Sequence, residues 1–209
     1  MANAVERWFY LGDSNAASVW TADGEPLASA MDLVVSQIPL LANVTIQNLS
    51  SPGFRVSQGG LSGFGAYANR AGLIGGAIGL VPPAGIIIDL EVNDWATAAV
   101  TGAEFTSNYD GLIKFCHSMG MKVVCICAAW HQMENDPIQH ADARYSLQTF
   151  RDWTKSIAQA NGAGFIDATE SPITNHPEYY CDPVHRNGAG ARVHAPFIVE
   201  RMRALGHWL

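Results

Sequence analysis

The stretch Gly85-Ile86-Ile87-Ile88-Asp89-Leu90-Glu91-Val92 constrains the fold more than any other part of the chain. It is β-branched, apolar without alternation, and far too short to cross a bilayer. A run of this kind reads as a strand buried on both faces, and such strands occur in parallel sheets covered by helices on either side. Pro82-Pro83 stops what precedes it, and Asn93-Asp94-Trp95 ends it.

The remaining sequence keeps to the alternation this central strand demands. Residues 7–11 form an aromatic first strand that ends abruptly at Gly12-Asp13-Ser14. A helical stripe over 26–38 should stop at Pro39, and a second strand over 44–49 closes in Ser50-Ser51-Pro52-Gly53. An Ala/Gly-rich, partly helical segment spans 59–79; a helix spans 104–120; a fourth strand spans 122–130. A long helix over 142–160, a short fifth strand over 164–168 and a last helix over 188–205 complete the series, with Pro196 kinking that helix or marking its true start. About five strands alternating with helices predict an α/β fold with right-handed crossovers. At 209 residues, 48% of them hydrophobic, the chain suits one core, and we read 1–209 as a single domain.

In such a sheet the loops after the strands share one rim, where ligands bind. Ser14 sits there at the end of the first strand. By itself Gly-Asp-Ser also reads as a turn with Ser14 as a helix N-cap. A serine nucleophile needs a base. His185 lies in Cys181-Asp182-Pro183-Val184-His185, where Asp182 can orient one ring nitrogen and leave the other for Ser14. His176 and His194 are rival bases without an aspartate in that relation. Donors for an oxyanion are the Asn93 side chain, the Gly53 backbone and the Ser14 amide. Each has a structural reading as well: Asn93 as a cap, Gly53 as a turn residue, His185 as a surface histidine.

Taken together and in order, Gly12-Asp13-Ser14, Asn48 to Gly53, Val92-Asn93-Asp94 and Asp182-Pro183-Val184-His185 resemble the consensus blocks of the SGNH, or GDSL, hydrolase superfamily. Residues 186–190 also resemble that family's usual sequel. The resemblance implies a flavodoxin-like three-layer α/β/α sandwich and a serine esterase, with Ser14 as nucleophile, His185 as general base and then acid, and Asp182 as its partner. It implies an oxyanion hole of Ser14, Gly53 and Asn93, and neither a metal nor an organic cofactor. One position departs from the pattern: Glu91 stands where the third block usually has glycine. Glu91 is read either as a buried acid bonded to nearby loops or as a pocket residue that influences substrate choice. Trp95 and Trp130 either wall a pocket or pack in the core.

The expected substrates are small or short-acyl esters, O-acetylated carbohydrate among them. The alternatives are a lysophospholipase or thioesterase, or a catalytically silent module on the same fold that binds glycan or a protein partner. Other classes are disfavoured. A net charge of −7 without a basic run argues against nucleic acid and anionic membrane as partners. The opening lacks the pattern of a secretory leader, which points to the cytoplasm, although many members of the resembled family are exported. Gly63-Phe64-Gly65-Ala66-Tyr67-Ala68 matches a loose dinucleotide fingerprint but does not follow a strand, and Ser62 lacks the nucleophile-elbow pattern. His131, His140 and His176 have no zinc-ligand spacing. Cys116, Cys125, Cys127 and Cys181 read as free thiols, with Cys125 and Cys127 on one face of a strand.

Overall fold

Five of the short apolar runs become strands: β1 (Glu6–Gly12), β2 (Val44–Asn48), β3 (Gly85–Asp89), β4 (Lys122–Ile126) and β5 (Gly164–Ile166). They pair in parallel in the order β2-β1-β3-β4-β5. The structure is a computed structural model that describes residues 5–17, 34–57, 67–79, 82–97, 99–130, 134 and 144–208. Its helices are α1 (Ser14–Ala17), α2 (Val34–Leu41), α3 (Tyr67–Ile78), α4 (Val92–Trp95), α5 (Gly102–Ser118), α6 (Leu147–Ala160) and α7 (Gly188–Ala204).

The isoleucine run lies at the centre, and Ile86, Ile87 and Ile88 are wholly buried. Successive strand residues point to opposite faces. Phe9, Leu11, Ile86 and Ile88 pack with residues of α3, α5 and α6. Trp8, Tyr10 and Ile87 pack with residues of α2 and α7. The result is the flavodoxin-like three-layer α/β/α sandwich. Its chain leaves β1 first toward β2 and later toward β3, so the strand order reverses beside β1. Ligands of open α/β sheets bind outside the carboxyl ends of the strands at such a switch point, and here the loops after β1, β2 and β3 meet there.

Several element boundaries differ from the sequence expectation. β3 stops at Asp89 because the chain coils: Trp95 N donates to Glu91 O and Ala96 N to Val92 O, both at 2.9 Å. Asn93 therefore sits on a one-turn helix and not at a strand end. α2 passes through Pro39 to Leu41, and helical bonding resumes with Ala42 N donating to Ile38 O at 3.0 Å. One forfeited N–H does not end a helix that is packed on the sheet. α7 likewise runs through Pro196, and it starts at Gly188, where the Asn187 side chain caps Gly190 N at 2.9 Å.

Cys125 and Cys127 enter opposite faces, because β4 ends at Ile126 and the strict alternation ends with it. All four cysteines are free thiols. No helix among the described residues is long and apolar enough to cross a membrane. Ser62 and residues 63–66 of the glycine-rich match lie outside the described residues, and Tyr67 and Ala68 open α3.

Candidate active site

The turn after β1 is built for close approach. A Cβ on Gly12 would meet Ala16 Cβ at 2.7 Å, so only glycine lets α1 fold back so tightly. Gly12 N donates to Ser50 Oγ at 2.8 Å and Ser51 N to Gly12 O at 3.3 Å, which join this turn to the loop after β2. The Asp13 carboxylate accepts from Asn15 N at 2.9 Å, a local bond that shapes the turn. Ser14 then stands as the first residue of α1.

The loop before α7 brings the histidine. Asp182 Oδ1 accepts from Val184 N at 2.7 Å and from His185 N at 2.6 Å, while Oδ2 bonds His185 Nδ1 at 2.6 Å. His185 Nε2 lies 2.9 Å from Ser14 Oγ. With Nδ1–H directed at the carboxylate, Nε2 is the acceptor that faces the serine hydroxyl. Burial by itself would raise the Asp182 carboxyl, but the bonds from the His185 ring and from the His185 and Val184 amides outweigh it and hold it below its ordinary value. The next residue ties the two loops again, since Arg186 N donates to Asn15 Oδ1 at 3.2 Å.

The remaining candidates lie in or just beyond the segments that follow β2, β3 and β4. Gly53 adopts φ +75°, a left-handed conformation that favours glycine. Asn93 Nδ2 donates to Phe54 O at 3.1 Å, and Asn93 O accepts from Thr97 Oγ1 at 2.7 Å. Asp94 is fully buried and accepts from Val56 N at 2.9 Å and Ser57 N at 2.8 Å. Glu91 is 2% exposed, and its Oε2 accepts from Ala128 N at 2.8 Å. Of the two readings of Glu91, the structure has the buried one. Trp95 packs in the core and edges a cavity of about 360 Å³ that Tyr145 and Glu134 also line. Trp130 is half-buried, edge-on to Tyr180, whose hydroxyl donates to Trp130 O.

Beneath the serine turn lies a charged group that sequence reasoning missed. Tyr10 donates its hydroxyl to Asp89 Oδ2 at 2.8 Å, and Arg186 lies 3.9 Å from the same oxygen. Burial, and then the neighbouring Asp89 charge, push Asp13 up to about 7. The available signal was Asp89 itself, an acid inside an isoleucine run. Of the rival bases, His176 is exposed and bonds Glu178 at 2.9 Å. His194 is wholly buried and bonds Ser171 Oγ at 2.8 Å, and burial, with the nearby Arg186 charge, holds it well below the usual histidine range. His131 and His140 lie outside the described residues. Among the described residues no group of three or more His, Cys, Asp or Glu is arranged to hold a metal ion.

The profile of the GDSL-like lipase/acylhydrolase family matches residues 10–193. No curated protein matches the chain in sequence. Among solved structures, the carbohydrate acetylesterase Est24 from Sinorhizobium meliloti superposes with a TM-score of 0.77 at 14% identity, over 96% of this chain and 99% of that one. The psychrotrophic esterase EstA from Pseudoalteromonas sp. gives 0.70 at 14% identity, over 96% and 98%. A catalytic mutant of Axe2, an acetylxylan esterase from Geobacillus stearothermophilus, gives 0.69 at 15% identity, over 94% of each chain. At these identities the similarity establishes a shared fold.

Proposed function

Since the chain belongs to the GDSL-like lipase/acylhydrolase family, we propose that it hydrolyses small or short-acyl carboxylic esters, O-acetylated carbohydrate among them, through an acyl-enzyme on Ser14. The observation that carries this reading is the hydrogen-bonded line from Asp182 through His185 to Ser14, with steps of 2.6 and 2.9 Å. As Ser14 Oγ attacks the ester carbonyl, His185 Nε2 takes its proton and Asp182 stabilises the imidazolium. The proton passes to the alcohol oxygen as the acyl–oxygen bond breaks. Water then gives a proton to His185, attacks the acyl carbon and releases the acid, and the proton returns to Ser14 Oγ. The developing oxyanion is met by the Ser14 and Gly53 amides and by Asn93 Nδ2. The Asn93 amide carries two N–H bonds, and the Phe54 carbonyl takes one. Each such donor is worth about 3–4 kcal/mol in the transition state.

The Ser171–His194 pair is a second serine–histidine contact of similar length. It is 2% and 0% exposed, whereas the His185 side chain is 24% exposed and can meet substrate. Burial also keeps His194 from accepting a proton near neutral pH. These facts favour a structural role for it and a catalytic one for Ser14. A short acyl group is favoured by two structural neighbours, one named a carbohydrate acetylesterase and the other an acetylxylan esterase.

A panel of p-nitrophenyl esters of increasing acyl length, followed by sugar acetates, tests the reading. Turnover should be greatest for acetate, vanish in Ser14→Ala and persist in Ser171→Ala. Rates that climb with chain length would instead favour a lysophospholipase or thioesterase. Undiminished turnover in Ser14→Ala would sink the mechanism, and no turnover of any ester would favour a binding module.

A further inference from the structure

The one-turn helix α4, which carries Asn93, is strung between two buried acidic side chains, Glu91 and Asp94. Asp94 reaches to the amides of Val56 and Ser57 in the loop after β2. Glu91 reaches the other way, to the amide of Ala128 just beyond β4. Glu91 also begins α4, since its carbonyl accepts from Trp95 N, and its side chain makes no capping bond to the helix. Arg151 of α6 closes the arrangement. Its Nε and Nη2 donate to the carbonyls of Ala128 and Ala129 at 2.8 and 2.9 Å, and its two Nη atoms bond Glu134 at 2.8 and 2.6 Å. Ala128 is thus held at its N–H by Glu91 and at its carbonyl by Arg151. Two residues on, the Trp130 carbonyl accepts from Tyr180, which leads into the Asp182 turn.

Glu91 and Arg151 are 2% and 5% exposed. Desolvating such groups is costly unless their bonds return the cost; Arg151 bonds through Nε and both Nη atoms, and Glu91 bonds through Oε2 alone, its Oε1 being buried without a partner. We infer that Glu91 and Arg151 are positioning residues: they pin the exit of β4 to the start of α4 and so aim the second Asn93 N–H at the forming oxyanion. This rests on the ester-hydrolase reading above. Burial pushes Glu91 up to about 8, against the Ala128 bond and the Arg151 charge, so near neutral pH the neutral acid predominates. A glutamine is its close isostere and can still accept from Ala128 N.

The experiment measures kcat and KM on p-nitrophenyl acetate for Glu91→Ala, Glu91→Gln and Arg151→Lys, each normalised to active sites counted by fluorophosphonate labelling. Misaiming a positioned group by a fraction of an ångström to an ångström should lower kcat in Glu91→Ala about tenfold to a hundredfold with KM nearly unchanged, while Glu91→Gln stays within about threefold of the parent. Arg151→Lys keeps the charge but loses the planar fork, and should show a smaller loss of the same kind. Parental kcat in Glu91→Ala overturns the inference. So does a loss confined to KM, which would mark a substrate contact, or a Glu91→Gln as slow as Glu91→Ala. If Glu91→Ala yields no folded protein, Arg151→Lys decides: a fall in kcat supports the clamp and parental kcat overturns it. Full activity in Ser14→Ala would break the ester-hydrolase reading instead, so the two failures are distinguishable.

Discussion

Gly12 sets how closely the serine turn can approach the sheet. Its would-be Cβ lies 2.7 Å from Ala16, 3.2 Å from Ser50 Oγ and 3.3 Å from the Asp89 carbonyl, so a side chain there must displace α1, the loop after β2, or both. Gly12→Ala should therefore cost about 1–3 kcal/mol of stability. Its effect on turnover should be larger than that loss alone explains, because α1 begins with Ser14. Chemical denaturation together with kcat per labelled site checks both halves; a variant of parental turnover would show that the turn tolerates the shift. The candidate histidines also differ at this scale. His194 was a rival base in the sequence, and its complete burial against Ser171 distinguishes it from the partly exposed His185. No local pattern announces that difference, since burial belongs to the packed chain.

At the scale of elements, the site depends on helices of a single turn. A helix this short has almost no stability of its own, so α1 and α4 hold their shape through side chains that bond outside them. For α4 one tether is Asp94, which satisfies the amides of Val56 and Ser57. Asp94→Ala leaves two buried N–H groups without an acceptor, for a loss of about 3 kcal/mol. The urea midpoint should fall accordingly, and the loop after β2 should exchange its amide hydrogens faster while β3 and β4 stay protected. Uniform exchange across the sheet would contradict a local tether. The sequence placed Asn93 at a strand end and extended β3 to Val92; the structure ends β3 at Asp89. The apolar pattern continued through Leu90 and Val92, and it does not distinguish a strand from the first turn of a buried helix.

For the whole molecule, the buried acids give stability a definite pH dependence. Asp13 is raised to about 7 from 3.8, and Glu91 to about 8 from 4.5, each chiefly by burial. Between its unfolded and folded values such an acid holds its proton more tightly in the folded chain, so raising the pH favours unfolding. The buried His194 acts in the opposite sense, but only below its ordinary value of 6.5. Stability should consequently decline from about pH 6.5 to about pH 8, with Glu91→Gln showing a shallower decline. Urea midpoints at half-unit pH intervals measure this, and a parental curve that rises through the window would contradict it. Much of the architecture was legible in the chain itself. The isoleucine run required a strand buried on both faces, the recurrent turn-ended runs required a parallel sheet, and Asp182-Pro183-Val184-His185 carried its own orienting bond within one turn. These are local facts, and propensity and periodicity express them. What only the tertiary structure decided is how groups far apart in sequence satisfy one another: Ser14 meets His185 across 171 positions, and Glu91 finds Ala128 across 37. A buried polar group needs a partner, but which partner depends on strand order and on the packing of helices over the sheet, and no short stretch of sequence contains that information.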